Sequence, residues 1–172
     1  MGLATVDLAT ALGARVIATS RSPEKLALAL FDHPDAIALP APGFRDRVKE
    51  LTGGNGANVI LDPVGGDVFD ESVRCIGFGG RLLVVGFTSG RIASIPTNMP
   101  LIKGFSVIGV RAGEYGRRLP VQGRENLDAI WAMAAAGRIR PRVHAEHPLD
   151  DWRTAFETVR DSRMVGKLVL IP

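Results

Sequence analysis

Apolar residues follow two alternating rhythms along this chain: short β-branched runs, and stretches in which an apolar side chain returns every third or fourth position. The first cycle sets the pattern. Residues 2–12 read as a helix, Gly13 as a tight turn, and Arg15 to Thr19 as a strand buried on both faces. Ser22 has the character of a helix N-cap, with Pro23 at the first helical position and Glu24 in the first turn ahead of Leu26 to Leu30. Asp32-His33-Pro34-Asp35 breaks that helix, and Ala36 to Leu39 is a brief apolar run that fits a further strand. The cycle then repeats. Phe44, Val48 and Leu51 line one face of a helix that stops at Gly53-Gly54-Asn55-Gly56, and Ala57 to Leu61 forms the next strand. Phe69, Val73 and Ile76 give another helical face, closed by Gly77-Phe78-Gly79-Gly80 ahead of Arg81 to Gly86, the most hydrophobic strand of the chain. Phe105 to Val110 supplies a further strand, and Leu127, Ile130, Trp131 and Ala134 mark a helix ending near Gly137.

Strands separated by helices of this length predict an α/β fold with a parallel sheet covered on both faces, because parallel pairing needs such a crossover. The pattern is Rossmann-like and doubly wound. In that architecture the first strand feeds a glycine-rich loop, and the helix that follows holds a pyrophosphate at its N-terminus. Here the pattern starts with the helix, so the first strand and most of the glycine-rich loop are expected to be lacking. The strands should then fall in two groups, on either side of the central position of a 3-2-1-4-5-6 order. From Arg138 the character changes to a basic, proline-punctuated stretch up to His147, an amphipathic helix carrying Trp152, Ala155, Phe156 and Val159, and a closing strand from Lys167 to Ile171. The expected organisation is a partial dinucleotide-binding domain over residues 1–137 and a distinct C-terminal segment over 138–172.

Composition narrows the classes. With 46% hydrophobic residues, a mean hydropathy of +0.14 and no apolar run near the roughly 18 residues of a membrane span, a soluble cytoplasmic protein without a membrane partner is expected. A single cysteine, Cys75, allows no internal disulfide and fits a reducing compartment. The net charge of +3 and pI near 9.5 come from arginines dispersed among acids. Their densest group, Arg111, Arg117, Arg118 and Arg124, is expected in a Gly-rich loop with only Tyr115 beside it, so no nucleic-acid face is predicted.

Candidate chemistry lies where strands end. In a dinucleotide fold an acid at the end of the second strand bonds the adenosine ribose and selects NAD, whereas a hydroxyl or basic cluster accommodates the extra phosphate of NADP. This chain carries Thr19-Ser20-Arg21-Ser22 with Lys25 one turn on, and no acid before Glu24. That chemistry favours NADP; the plainer reading makes Ser20 and Ser22 helix caps and Arg21 a solvated cation. Asp62-Pro63-Val64-Gly65-Gly66-Asp67 follows a strand at the ligand-binding end. Val64 and Gly65 could line a cleft, with glycine letting the backbone approach a ligand, or the segment is an ordinary strand-to-helix turn with Asp67 as N-cap. Val85, Gly86 and Phe87 end the next strand on the same edge and could flank a flat ring such as a nicotinamide. His144 and His147 have no further imidazole or sulfur close in sequence, so no metal site is assigned. Cys75 reads as core, and no nucleophile and base arrangement marks a catalytic residue.

As an ordered set, these motifs resemble the zinc-independent quinone oxidoreductases related to zeta-crystallin, within the medium-chain dehydrogenase/reductase superfamily. The matching pieces are Gly2-Leu3-Ala4 through Leu12-Gly13-Ala14-Arg15-Val16-Ile17-Ala18-Thr19, Ser22-Pro23-Glu24-Lys25, Asp62-Pro63-Val64-Gly65-Gly66, Gly79-Gly80-Arg81-Leu82-Leu83-Val84-Val85-Gly86-Phe87, Ile108-Gly109-Val110 and Gly166-Lys167-Leu168-Val169-Leu170. The resemblance spans essentially the whole chain and is to the C-terminal, cofactor-binding half of such enzymes. It implies that Gly2 stands where the phosphate loop meets its helix. It implies too that Ser20, Arg21 and Lys25 meet the 2′-phosphate of NADPH, that Val64 and Gly65 line the cofactor cleft, and that Val85, Gly86 and Phe87 lie beside the nicotinamide. Hydride transfer to a small-molecule quinone or enone, and a homodimer joined through the strand at 105–110, are implied in the same way. The chain by itself, without a substrate domain, is expected to be inactive. The alternatives are a non-catalytic interaction or nucleotide-binding domain, and a relative of the zinc-dependent alcohol dehydrogenases.

Overall fold

The computed structural model describes residues 1–172, and its first half reproduces the expected alternation almost element for element. Helix α1 (Gly2–Ala11) precedes strand β1 (Ile17–Ser20), and α2 (Pro23–Ala29) precedes β2 (Ile37–Pro40). Then come α3 (Arg45–Leu51), β3 (Ala57–Asp62), α4 (Gly66–Cys75), β4 (Ile76–Val84), α5 (Asn98–Lys103) and β5 (Ser106–Gly109). Two consecutive helices, α6 (Ala112–Arg118) and α7 (Pro120–Ala135), lead to β6 (Val143–Pro148), α8 (Trp152–Arg160) and β7 (Lys167–Ile171). No helix is long and apolar enough to cross a membrane.

The strands form three sheets. β1 pairs with β2, β3-β4-β5 form a parallel sheet, and β6 pairs in parallel with β7. The first two sheets are the two groups expected of a doubly wound fold interrupted at its central strand. By contacts the chain divides into one unit of Met1–Ala18, Ser22–Ala38 and Ile130–Pro172, and a second of Thr19–Arg21 and Leu39–Ala129.

In the first unit, Ser22 caps α2 as expected: its hydroxyl oxygen accepts the Lys25 N–H at 3.2 Å, Pro23 takes the first helical position and Glu24 the first turn. The C-terminal segment is tied to α1 by two polar contacts, the Arg140 N–H to the Asp7 carboxylate at 2.7 Å and the Arg138 guanidinium to the Ala11 carbonyl at 2.5 Å. α8 makes the crossover between β6 and β7 and buries Ala155, while Trp152, Phe156 and Val159 stay exposed.

The core of the second unit is Phe69 and Val73 from α4, Ile76 and Leu82 from β4, and Phe105 just before β5, with Leu82 fully enclosed. Helix ends here are satisfied from a distance. Glu71 on α4 accepts the Gly43 N–H at 2.9 Å and the Arg45 N–H at 2.6 Å, which serves the otherwise uncapped start of α3. Lys103, at the end of α5, donates to the Val73 carbonyl at 2.5 Å in the last turn of α4. Burial foremost, with Lys49 nearby, holds its ammonium pKa below the usual lysine range.

Three expectations are corrected. Ile76 opens β4 instead of closing α4, and Gly77-Phe78-Gly79-Gly80 lies inside the strand, whose pairing with β3 starts at Ala57 opposite Ile76. The N-cap of α4 is Gly65 rather than Asp67, which sits in the first turn. The arginine group is helical: α6 contains Arg117 and Arg118, both paired with Glu114, at 2.9 and 2.7 Å. Gly123 is a packing position, since a Cβ there would come within 2.7 Å of the Gly116 Cα, whereas one on Gly113 or Gly116 would meet open space.

Candidate cofactor site

Parallel strands that end level with one another present their connecting loops at one edge, where open α/β sheets bind ligands. In this sheet Asp62 is in register with Val84, and Val84 with Gly109, so β3, β4 and β5 finish together. The loops that follow β3 and β4 are joined by backbone hydrogen bonds: Val85 N–H to Asp62 O at 2.9 Å, Thr88 N–H to Pro63 O at 3.1 Å, and Ser89 N–H to Val64 O at 3.0 Å. Among the residues singled out from sequence, Val64, Gly65, Val85, Gly86 and Phe87 therefore share one edge of one sheet.

Asp62 builds the first of these loops. Its carboxylate is buried, with Oδ1 accepting the N–H groups of Val64 at 2.8 Å and Gly65 at 2.9 Å, while Oδ2 is enclosed without a partner. This carboxylate-to-backbone turn swings the chain so that Gly65 adopts φ 69° and ψ −159°, a conformation that only glycine holds without strain, and α4 starts at Gly66. The space a side chain would fill is taken by the protein itself. A Cβ on Gly65 would lie 2.9 Å from Phe87 Cδ1 and 3.0 Å from the Arg91 carbonyl, and one on Gly66 would lie 2.8 Å from Ser89 Oγ. The two glycines thus let the 86–91 loop seat on the start of α4, which accounts for their lack of side chains.

Arg91 closes the arrangement. One terminal nitrogen of its guanidinium reaches Asp67 at 2.9 Å and Asp70 at 2.5 Å, both on α4. The two carboxylates, Asp70 foremost, raise its already high pKa. Phe87 remains 40% exposed, so an aromatic face is available at this edge.

The remaining residues stand elsewhere. Ser20 ends β1 and Arg21 follows it, both in the second unit, with Arg21 exposed; Gly2 opens α1 and Lys25 lies on α2, both in the first unit. The Ser22 hydroxyl caps α2 and donates to Glu24 at 2.9 Å, and the Lys25 ammonium donates to the Ser162 carbonyl. The first turn of α1 holds no acidic residue and no side-chain cap. Within the second unit, an exposed arginine after β1 and a loop edge with an aromatic face have the chemistry that an anionic nicotinamide dinucleotide requires. His147 Nδ1 instead pairs with Asp151 at 3.0 Å, and His144 Nδ1 receives the Val165 N–H at 3.5 Å. Sequence reasoning missed Asp62 as the organiser of the Val64–Gly65 turn, although an Asp two positions ahead of the loop is a known turn signal. It also missed Arg91, whose partners are more than 20 residues away in the chain.

Comparison with known families decides the relationship: residues 1–130 match the model of the zinc-binding dehydrogenase family. The chain belongs to that family. A quinone oxidoreductase-like protein 2 homolog from Nematostella vectensis is 37% identical over 172 residues, covering 99% of this chain and 47% of its own length. A probable oxidoreductase from Mycobacterium abscessus superposes with a TM-score of 0.84 at 32% identity, covering 99% of this chain and 50% of the other. A mycobacterial protein solved in complex with NADPH superposes with a TM-score of 0.83 at 30% identity, covering 99% and 54%. The chain spans about half the length of the curated relatives it matches, and it corresponds to their C-terminal part, the Rossmann-like NAD(P)-binding half.

Proposed function

We propose that this chain is the cofactor-binding portion of an NADPH-dependent oxidoreductase that delivers hydride to a quinone or enone. The observation that carries the reading is the shared edge of β3 and β4, where Val64, Gly65, Val85, Gly86 and Phe87 meet in loops bonded to each other. The NADPH complex of a structural neighbour supports the cofactor class. Bound here, the nicotinamide would supply the hydride; the chain's own residues bind and orient it. Val64 and Gly65 would line the cleft, with Val85, Gly86 and Phe87 along the ring, and Gly2 would stand at the pyrophosphate end through the start of α1. Ser20, Arg21 and Lys25 would meet the 2′-phosphate and favour NADPH over NADH. No zinc is assigned to the reaction, and the quinone is proposed from the relatives' names.

β5 is paired only with β4 and is exposed along its length, so its other edge offers unpaired backbone groups and apolar side chains. We propose homodimerisation through it. The buried free Cys75 suits the reducing cytoplasm, where we place the protein. Fluorescence titration of the chain with NADPH and NADH tests the cofactor reading. Saturable binding that is tighter for NADPH, and that loses about tenfold or more of this preference in Arg21→Ala, is expected for a charge-assisted phosphate contact. Equal affinity for both cofactors, or a preference unchanged by Arg21→Ala, would remove the 2′-phosphate assignment.

A further inference from the structure

We infer that Arg91 is a positioning residue, a latch that pins the 86–91 loop to the first turns of α4 and so fixes Phe87 against Gly65 along the proposed cofactor edge. The loop is held at its base by backbone bonds from Thr88 and Ser89 to Pro63 and Val64. Its far end carries Arg91, whose guanidinium reaches Asp67 and Asp70 at 2.9 and 2.5 Å. Between these two fixings lie the closest approaches of the loop to α4: Phe87 Cδ1 and the Arg91 carbonyl stand over Gly65, and Ser89 Oγ over Gly66. Without the ion pairs the loop would be held by its base and by the packing of Ala93 and Ile95 on the core beyond it.

The latch also sets charge. Asp67 and Asp70 lie on the first turns of α4, beside the edge where an anionic cofactor would come. Arg91 offsets one of these two negative charges and shortens the reach of the other. Loss of Arg91 would then act in two ways, by freeing the loop and by leaving two bare carboxylates. Those effects are separable, because Asp67→Asn with Asp70→Asn frees the loop while removing negative charge.

The inference rests on the cofactor reading for its consequence, but the latch itself can be measured without cofactor. Amide hydrogen exchange at Thr88, Ser89 and Gly90 is compared in the full chain, in Arg91→Ala, in Arg91→Lys and in the Asp67→Asn/Asp70→Asn pair, with NADPH affinity measured in each. Exposed ion pairs are modest, so exchange at these amides is expected to quicken by about threefold to tenfold in Arg91→Ala and equally in the double Asn variant. Arg91→Lys, with one ammonium for two carboxylates, should fall between. Raised salt should quicken exchange in the parent chain and leave Arg91→Ala unchanged. NADPH binding should weaken in the same order, including in the double Asn variant. Exchange that stays at the parent rate in both Arg91→Ala and the double Asn variant overturns the latch, whatever the cofactor result. Weaker NADPH binding in Arg91→Ala alone would assign Arg91 a charge effect and overturn positioning. A parent chain that binds neither cofactor defeats the proposed function, and the exchange rates still decide the latch.

Discussion

Replacing Gly65 by alanine puts the fit between the two loops under direct test. At φ 69° and ψ −159° the backbone lies where side-chain-bearing residues cost about 1–3 kcal/mol. The new Cβ would also stand 2.9 Å from Phe87 Cδ1 and 3.0 Å from the Arg91 carbonyl oxygen. Phe87 can rotate away, but the carbonyl is backbone and moves only if the loop moves. Forcing a methyl into such a contact adds about 1–3 kcal/mol, so Gly65→Ala is expected to destabilise the chain by roughly 2–6 kcal/mol in total. Gly90 provides the control in the same loop, because it too has positive φ, 84°, yet a Cβ there meets nothing within 4 Å. Gly90→Ala should therefore cost only the conformational penalty, about 1–2 kcal/mol. Urea unfolding of the parent and both variants, compared by linear extrapolation, measures the difference. If Gly65→Ala costs no more than Gly90→Ala, the 86–91 loop does not seat on Gly65 and the description of this edge is wrong.

Three further outcomes follow from the packing. Leu82→Ala, which empties the enclosed centre of the β3-β4-β5 core, should cost about 2–5 kcal/mol in the same unfolding assay. Ser22→Ala, which removes the oxygen that accepts the Lys25 N–H, should cost about 1 kcal/mol and show as faster amide exchange in the first turn of α2. Burial, with Glu71 adding to it, pushes the Cys75 thiol up to about 11. Between about pH 9 and pH 11 the unfolded chain has lost this proton while the folded one keeps it, so stability should fall as pH rises through that window. A thiol reagent at pH 8 should label Cys75 only as fast as the chain unfolds; rapid native-state labelling would contradict its burial.

The sequence was most readable where local chemistry and tertiary packing agree. Ser22, Pro23 and Glu24 announce α2 by themselves, and Phe44 and Val48 announce the buried face of α3. One misreading came where a distant partner decided the matter. Gly77 to Gly80 has the local marks of a helix stop, yet it lies inside β4, spanning the register shift between the Ile76–Ala57 and Arg81–Val59 pairs with β3. Glycines in 113–123 suggested a loop, but Glu114 lies three and four residues ahead of Arg117 and Arg118, and that spacing supports a helix. In the candidate site, the loops after β3 and β4 were legible because strand ends are legible. Their closeness, the turn organised by Asp62 and the reach of Arg91 across to Asp67 and Asp70 belong to the fold and have no local signature.

The proposed cofactor position is along the loops after β3 and β4, with Ser20 and Arg21 beside it. Amide chemical-shift mapping of the isotope-labelled chain during NADPH titration tests it most directly. Saturable shifts are expected at Ser20, Arg21, Val64, Gly65, Val85, Gly86 and Phe87 of the second unit. An open groove borders the same stretch of α4 through Asp67 and Asp70, and its other side, Gly43, Arg45 and Asp46, should stay unshifted. Shifts confined to that groove, or none with NADPH at about millimolar concentration, where even weak ligands occupy a formed site, would contradict the account.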